Sequence, residues 1–132
     1  MEYKPLYDDR YFRDLLSQIS ALEKKKAGYR VRTDERYQTR ERQMDEDTAR
    51  DERATLQRHA GSYSGAEDSS YAKALVRQHA QQAEEKKADV RRQFETENTR
   101  QVGNAVREIQ SQIKNAQMVE KRRLAEFKRL NK

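Results

Sequence analysis

The chain has 132 residues, of which 33% are hydrophobic and 39% charged, with a net charge of +6 and no cysteine. So little apolar material excludes an ordinary compact domain, whose core needs more nonpolar surface per residue. It leaves a disordered chain, or long helices that each bury a narrow stripe. The residue types favour helices. Proline occurs once, at position 5, glycine four times, and Ala, Glu, Gln, Lys and Arg dominate. The absence of cysteine removes disulfides and thiolate metal sites. No apolar run approaches the roughly 20 residues of a membrane span, and the first residues lack the apolar stretch of a signal peptide.

In chain order, residues 1–7 read as an extended arm, because Pro5 restricts its predecessor to extended conformations. Asp8 and Asp9 then supply a cap and negative charge at a helix start. A first long helix is expected over residues 8–60. Its apolar positions are Phe12, Leu15, Leu16, Ile19 and Leu22, then Tyr29, Val31, Tyr37 and Met44. Leu15, Ile19 and Leu22 keep the four–three rhythm of a coiled-coil seam. Beyond Val31 the stripe thins, with Tyr37 and Met44 as its anchors. Gly28 falls inside this predicted helix as a defect worth about 1 kcal/mol against Ala.

The segment Ala60-Gly61-Ser62-Tyr63-Ser64-Gly65 breaks the pattern. A turn is expected over 61–65. Gly61 suits a C-terminal cap, and Ser64 with Glu67 has capping-box spacing before the next helix. A second helix is predicted over 66–117. Its stripe includes Leu75, Ala83, Val90, Phe94, Val102, Ala105, Val106, Ile109, Ile113 and Ala116. Two sets recur at eleven residues: Val102, Ile113 and Leu124, and Phe94, Ala105, Ala116 and Phe127. An eleven-residue period implies a nearly straight pairing. Gly103 lies within the stripe and would permit a close backbone approach. Residues 118–132 read as a basic amphipathic continuation of this helix, with no partner elsewhere in the chain.

The expected fold class is therefore all-α: two long helices in an antiparallel helical hairpin or coiled coil, elongated and with little independent core. A turn centred near residues 62–63 sets Leu15 against Gln110, Ile19 against Val106 and Leu22 against Gly103. The same register brings Tyr29 towards Phe94 and Met44 towards Gln81. Candidate packing residues, within the chain or between copies, are Leu15, Ile19, Leu22, Tyr29, Phe94, Val102, Val106, Ile109 and Ile113. Gly61, Ser64 and Gly65 are the turn candidates.

No motif carries chemistry. His59 and His79 lack neighbours at metal-ligand spacing and read as surface histidines. There is no HExxH, Walker loop or dinucleotide fingerprint. The carboxylates alternate with Lys and Arg, as on a solvated helix face. Catalysis by paired acid and base needs a cleft that perturbs pKa, so no enzyme, cofactor, metal or small-molecule substrate is expected. In the basic tail, Lys121, Arg122, Arg123, Lys128 and Arg129 are candidates for binding a partner or phosphates. The plainer reading is a helix end docked on a neighbouring subunit. The seven tyrosines, all within the first 71 residues, read as interface residues before base-stacking ones.

One resemblance rests on three stretches: Tyr-Asp-Asp-Arg-Tyr-Phe-Arg-Asp-Leu at 7–15, the Gly-Ser-Tyr-Ser-Gly corner at 61–65, and Ser-Ser-Tyr-Ala-Lys-Ala-Leu at 69–75. At the level of pattern the layout resembles helical virion proteins of tailed bacteriophages, the internal or ejection proteins and small tail-associated proteins. That resemblance implies a structural subunit in a virion, packed against further copies or other virion proteins, with no catalytic residues. Two alternatives remain: a coiled-coil adaptor or cytoskeleton-associated protein in the cytoplasm, and a nucleic-acid binder using the basic C-terminal helix.

Overall fold

The computed structural model describes residues 2–60 and 70–131, with the backbone alone at 59 and 60. The described residues are all-α, with three helices and no strand among them. Helix α1 spans Asp9–Gly28, a 3₁₀ turn Val31–Thr33, α2 Glu35–Ala60 and the long α3 Ser70–Leu130. The expected corner at Gly61, Ser64 and Gly65, with its capping box, lies outside the described residues. The chain divides into two compact units, one of Met1–Tyr29 with Glu97–Lys132 and one of Arg30–Thr96.

In the first unit the arm is non-helical until Asp8, whose side chain accepts a hydrogen bond from the Tyr11 amide at 3.0 Å and caps α1. Leu15 on α1 and Val102 and Ala116 on α3 are buried. Phe12, Ile19, Leu22, Ala105, Val106, Ile109 and Ile113 are half-buried along the same stripes. Leu124 is exposed, so the line expected through Val102 and Ile113 does not continue to it. Gly103 meets no atom within 4 Å of where a Cβ would stand, so no close backbone approach occurs there.

The single helix expected over 8–60 is two helices. α1 stops at Gly28, which is its last residue and not a mid-helix defect. Tyr29 and Arg30 are extended, and the 3₁₀ turn follows. The cause is local. Gly is a poor helix former, and the β-branched Val31 and Thr33 add little resistance to a break. The break is also well bonded. The Arg30 carbonyl accepts from the Thr33 amide at 3.1 Å and its hydroxyl at 2.9 Å. The Asp34 amide donates to the Val31 carbonyl at 3.0 Å, and the Gln38 side chain donates to the Arg32 carbonyl at 3.0 Å. Asp34 then caps α2, accepting from the Arg36 amide at 2.9 Å.

The second unit is centred on Tyr37, which is 1% exposed. Val31, Met44, Ala72 and Val90 are buried in the same unit. Phe94 meets the Tyr37 ring edge-on, with centroids 5.8 Å apart. Asp45 bonds Lys87, and Met44 lines a cleft with His79, Gln82 and Ala83, in the stretch around Gln81 expected for it.

α3 shows the eleven-residue period directly. Ala72, Ala83 and Phe94 in one unit, and Ala105, Ala116 and Phe127 in the other, all fall on its less exposed side. Eleven residues complete three turns at 3.67 per turn, so such a line drifts little around the helix.

Replacing Tyr37 with Ala empties the centre of the second unit. It should lower unfolding stability by about 3 kcal/mol, measured by chemical denaturation. Leu130→Ala, at a side chain 71% exposed, should change stability by less than about 0.5 kcal/mol.

Candidate functional site: helix-packing surfaces

Two clusters join parts of the chain that are far apart in sequence. The first lies at the arm. Glu120 on α3 accepts hydrogen bonds from the Tyr3 hydroxyl, the Leu6 amide at 2.7 Å and the Tyr7 amide at 2.8 Å. The Tyr3 ring also packs edge-on against Phe127, with centroids 5.5 Å apart. Residues 118–132 therefore have a partner in the chain, contrary to the sequence expectation. The physical reason is the arm's backbone. Being non-helical, it offers free N–H groups, and a carboxylate one helix away satisfies two of them.

These bonds favour the charged carboxylate. The Tyr3 hydrogen bond, then the Tyr7 amide, hold Glu120 below the usual glutamate range, with Leu6 and Arg123 adding to the effect. The same carboxylate, with some burial, raises the Tyr3 phenol above its ordinary value.

The second cluster joins α2 to α3. Arg91 donates to the Tyr37 hydroxyl at 3.3 Å, and the Arg36 guanidinium sits 5.4 Å from the Phe94 ring centre. Burial is the main cause of a raised Tyr37 phenol. Lys87 pairs with Asp45, and that bond raises the lysine despite partial burial. Thr55 and His79 are 3.3 Å apart, so His79 is a half-buried contact residue and not a plain surface histidine. Ordered along the chain, partners of Tyr37, Asp45 and Thr55 on α3 descend in number: Phe94 and Arg91, Lys87, His79.

Beside this cluster a cleft of about 170 Å³ is lined by Met44, Asp47, Thr48, Asp51, His79 and Lys86, among others. Its charges are mixed, and Asp47 is paired with Arg50. Among the described residues no group of three His, Asp or Glu side chains could hold a metal ion. No described helix is long and apolar enough to cross a membrane.

Of the sequence-nominated packing residues, Leu15 and Val102 are buried, and Ile19, Leu22, Tyr29, Phe94, Val106, Ile109 and Ile113 half-buried. Tyr29 is the C-cap of α1. The basic candidates separate. Lys121, Arg122, Lys128 and Arg129 are exposed, while Arg123 is half-buried and lines a shallow hollow with Tyr3 and Phe127. Arg129 lies 3.8 Å from Glu126. Sequence reasoning missed Glu120, Asp45 and Lys87. One signal was present: Lys87 and Glu120 occupy positions in phase with Val76 and Ile109, where a helix with an eleven-residue stripe places its inward side chains.

No protein-family model matches the chain, and neither a curated protein nor a solved structure is similar enough to count as a match.

The arm should respond to pH. A carboxylate held below its unfolded value contributes fully above that value, about pH 4.3 for glutamate. The contribution fades as pH falls through the lowered folded value. Tyr3, raised when folded, contributes below about pH 10, and that part fades as pH rises through its folded value. Amide exchange at Leu6 and Tyr7, corrected for intrinsic rates, should thus be slow between these limits and lose protection on acidification. Glu120→Gln should remove the protection already at neutral pH, and unchanged protection in that variant would contradict the assignment.

Proposed function

We propose that this chain is a non-enzymatic structural subunit of a large assembly, acting through helix packing with further copies or neighbouring proteins. In this reading α2 and α3 run as an antiparallel helical hairpin. The descending order of partners along α3, from Phe94 through Lys87 to His79, supports that direction. The setting proposed is a tailed-phage virion, which rests on the pattern resemblance of the arm, the corner and the second helix alone.

One observation carries the structural role. Inward side chains form narrow stripes, while Leu6, Leu16, Met118 and Leu130 are each at least 45% exposed. Helices with so thin a seam gain stability from tertiary or quaternary contacts more than from propensity. Further copies or neighbours would cover the remaining apolar side chains.

Sedimentation across a hundredfold concentration range should show mass-action association, with thermal stability rising with concentration. Leu16→Glu, at a side chain 57% exposed, should weaken association while leaving the helical signal unchanged. A stable monomer at every concentration, indifferent to that substitution, would overturn the reading.

A further inference from the structure

α3 carries cations at a fixed interval within the first unit: Arg100, Arg107, Lys114, Lys121 and Lys128, each seven residues after the last. All five are exposed. Seven residues rise about 10.5 Å, so the row spans about 42 Å of helix. A seven-residue interval drifts about 20° per step, which keeps the row within roughly a quarter of the helix circumference.

Their surroundings differ from those of the paired helical cations on the chain. Elsewhere a helical Lys or Arg often has a carboxylate one turn away. Arg50 pairs with Asp47, Lys87 with Glu84, Arg92 with Asp89 and Arg129 with Glu126. For the row, the residues three and four positions away on either side are Thr, Gly, Asn, Gln, Ser, Met, Leu, Ala and Lys, with Glu97 before Arg100 as the one acid. Glu97 itself accepts from Gln101 at 3.2 Å. No member of the row forms an ion pair among the described residues.

We propose that this row is a binding surface for the phosphodiester backbone of a nucleic acid. Three named candidates, Arg100, Arg107 and Lys114, extend it well beyond the basic C-terminal end. Charge complementarity argues for a polyanion. Exposed ion pairs with discrete protein carboxylates yield about 0–1 kcal/mol each, and Met118 and Leu124 are the two large apolar side chains flanking the row. A polyanion differs because each neutralised phosphate releases condensed counterions. A membrane surface fits less well, since a helix lying in lipid presents a broad face of large apolar side chains. Along most of the row the flanking residues are polar or small: Gly103, Asn104, Gln110, Ser111, Gln117 and Ala125.

The test uses the full chain and labelled oligonucleotides, duplex and single-stranded, with binding read by fluorescence anisotropy from 50 to 200 mM salt. Five phosphate contacts predict a log–log salt slope of about −4.5 for duplex and about −3.5 for a single strand. The triple variant Arg107→Gln, Lys114→Gln, Lys121→Gln should retain its helical signal, lose at least about tenfold in affinity and flatten the duplex slope to about −1.8. Lys114→Gln alone, at one exposed side chain, should reduce the slope by about one and keeps the test valid if the triple variant fails to fold. A charge-matched control, Lys24→Gln, Arg40→Gln, Arg42→Gln, should lose far less. Equal losses in the two triple variants would reduce the row to net charge and overturn the proposal. So would absent oligonucleotide binding, or row-dependent binding to vesicles of anionic phospholipid or to an acidic polypeptide in its place.

Discussion

The narrow inward stripe that α3 presents in each unit is the constraint on which the other contacts depend. With a third of its residues hydrophobic, the chain cannot enclose a core. It can cover one side of a helix. Ala72, Ala83, Phe94, Ala105, Ala116 and Phe127 mark that side at eleven-residue steps, and four of the six are alanines. Small residues allow a neighbouring segment to lie close, but they bury little area each. Larger buried side chains lie outside α3: Tyr37, Met44, Leu15 and Val31.

Polar residues set the positions that such a smooth line leaves undetermined. Lys87 and Glu120 are in phase with apolar positions, and each is bonded to another part of the chain. Alanines and valines tolerate a shift of one helical turn with modest loss. A lysine facing Asp45, or a glutamate facing two amides of the arm, loses its partner on such a shift. The Arg91–Tyr37 bond and the Arg36 contact on Phe94 act in the same way.

How much of this was legible in the sequence follows from the kind of signal each feature leaves. The helical class, the Asp8 cap and the eleven-residue recurrence through Phe94 and Ala105 are local or periodic, and could be read directly. The break at 28–34 was also written locally, as Gly28 followed by Thr33 and the capping Asp34, but an intact amphipathic pattern on both sides hid it. The Glu120 contact with Tyr3, Leu6 and Tyr7 left one trace in the sequence, the inward phase of Glu120, and none of its partners. It depends on backbone amides of an irregular arm, which have no side-chain signature. The basic row was visible as spacing, but its lack of ion pairs needed atomic positions.

The proposed role follows from this economy. A chain whose seam is so narrow leaves side chains such as Leu16 and Met118 uncovered, and gives an exposed α3 face to regularly spaced cations. The account stands on α2 folding back along α3 in the order given by Tyr37, Asp45 and Thr55. Spin labels at Glu46 and Lys86, beside the Asp45–Lys87 pair, measure this most directly. Two touching helices, each about 10–12 Å across, should hold the labels within about 25 Å. A distribution centred beyond about 40 Å, comparable to the full length of α2, would contradict the fold-back.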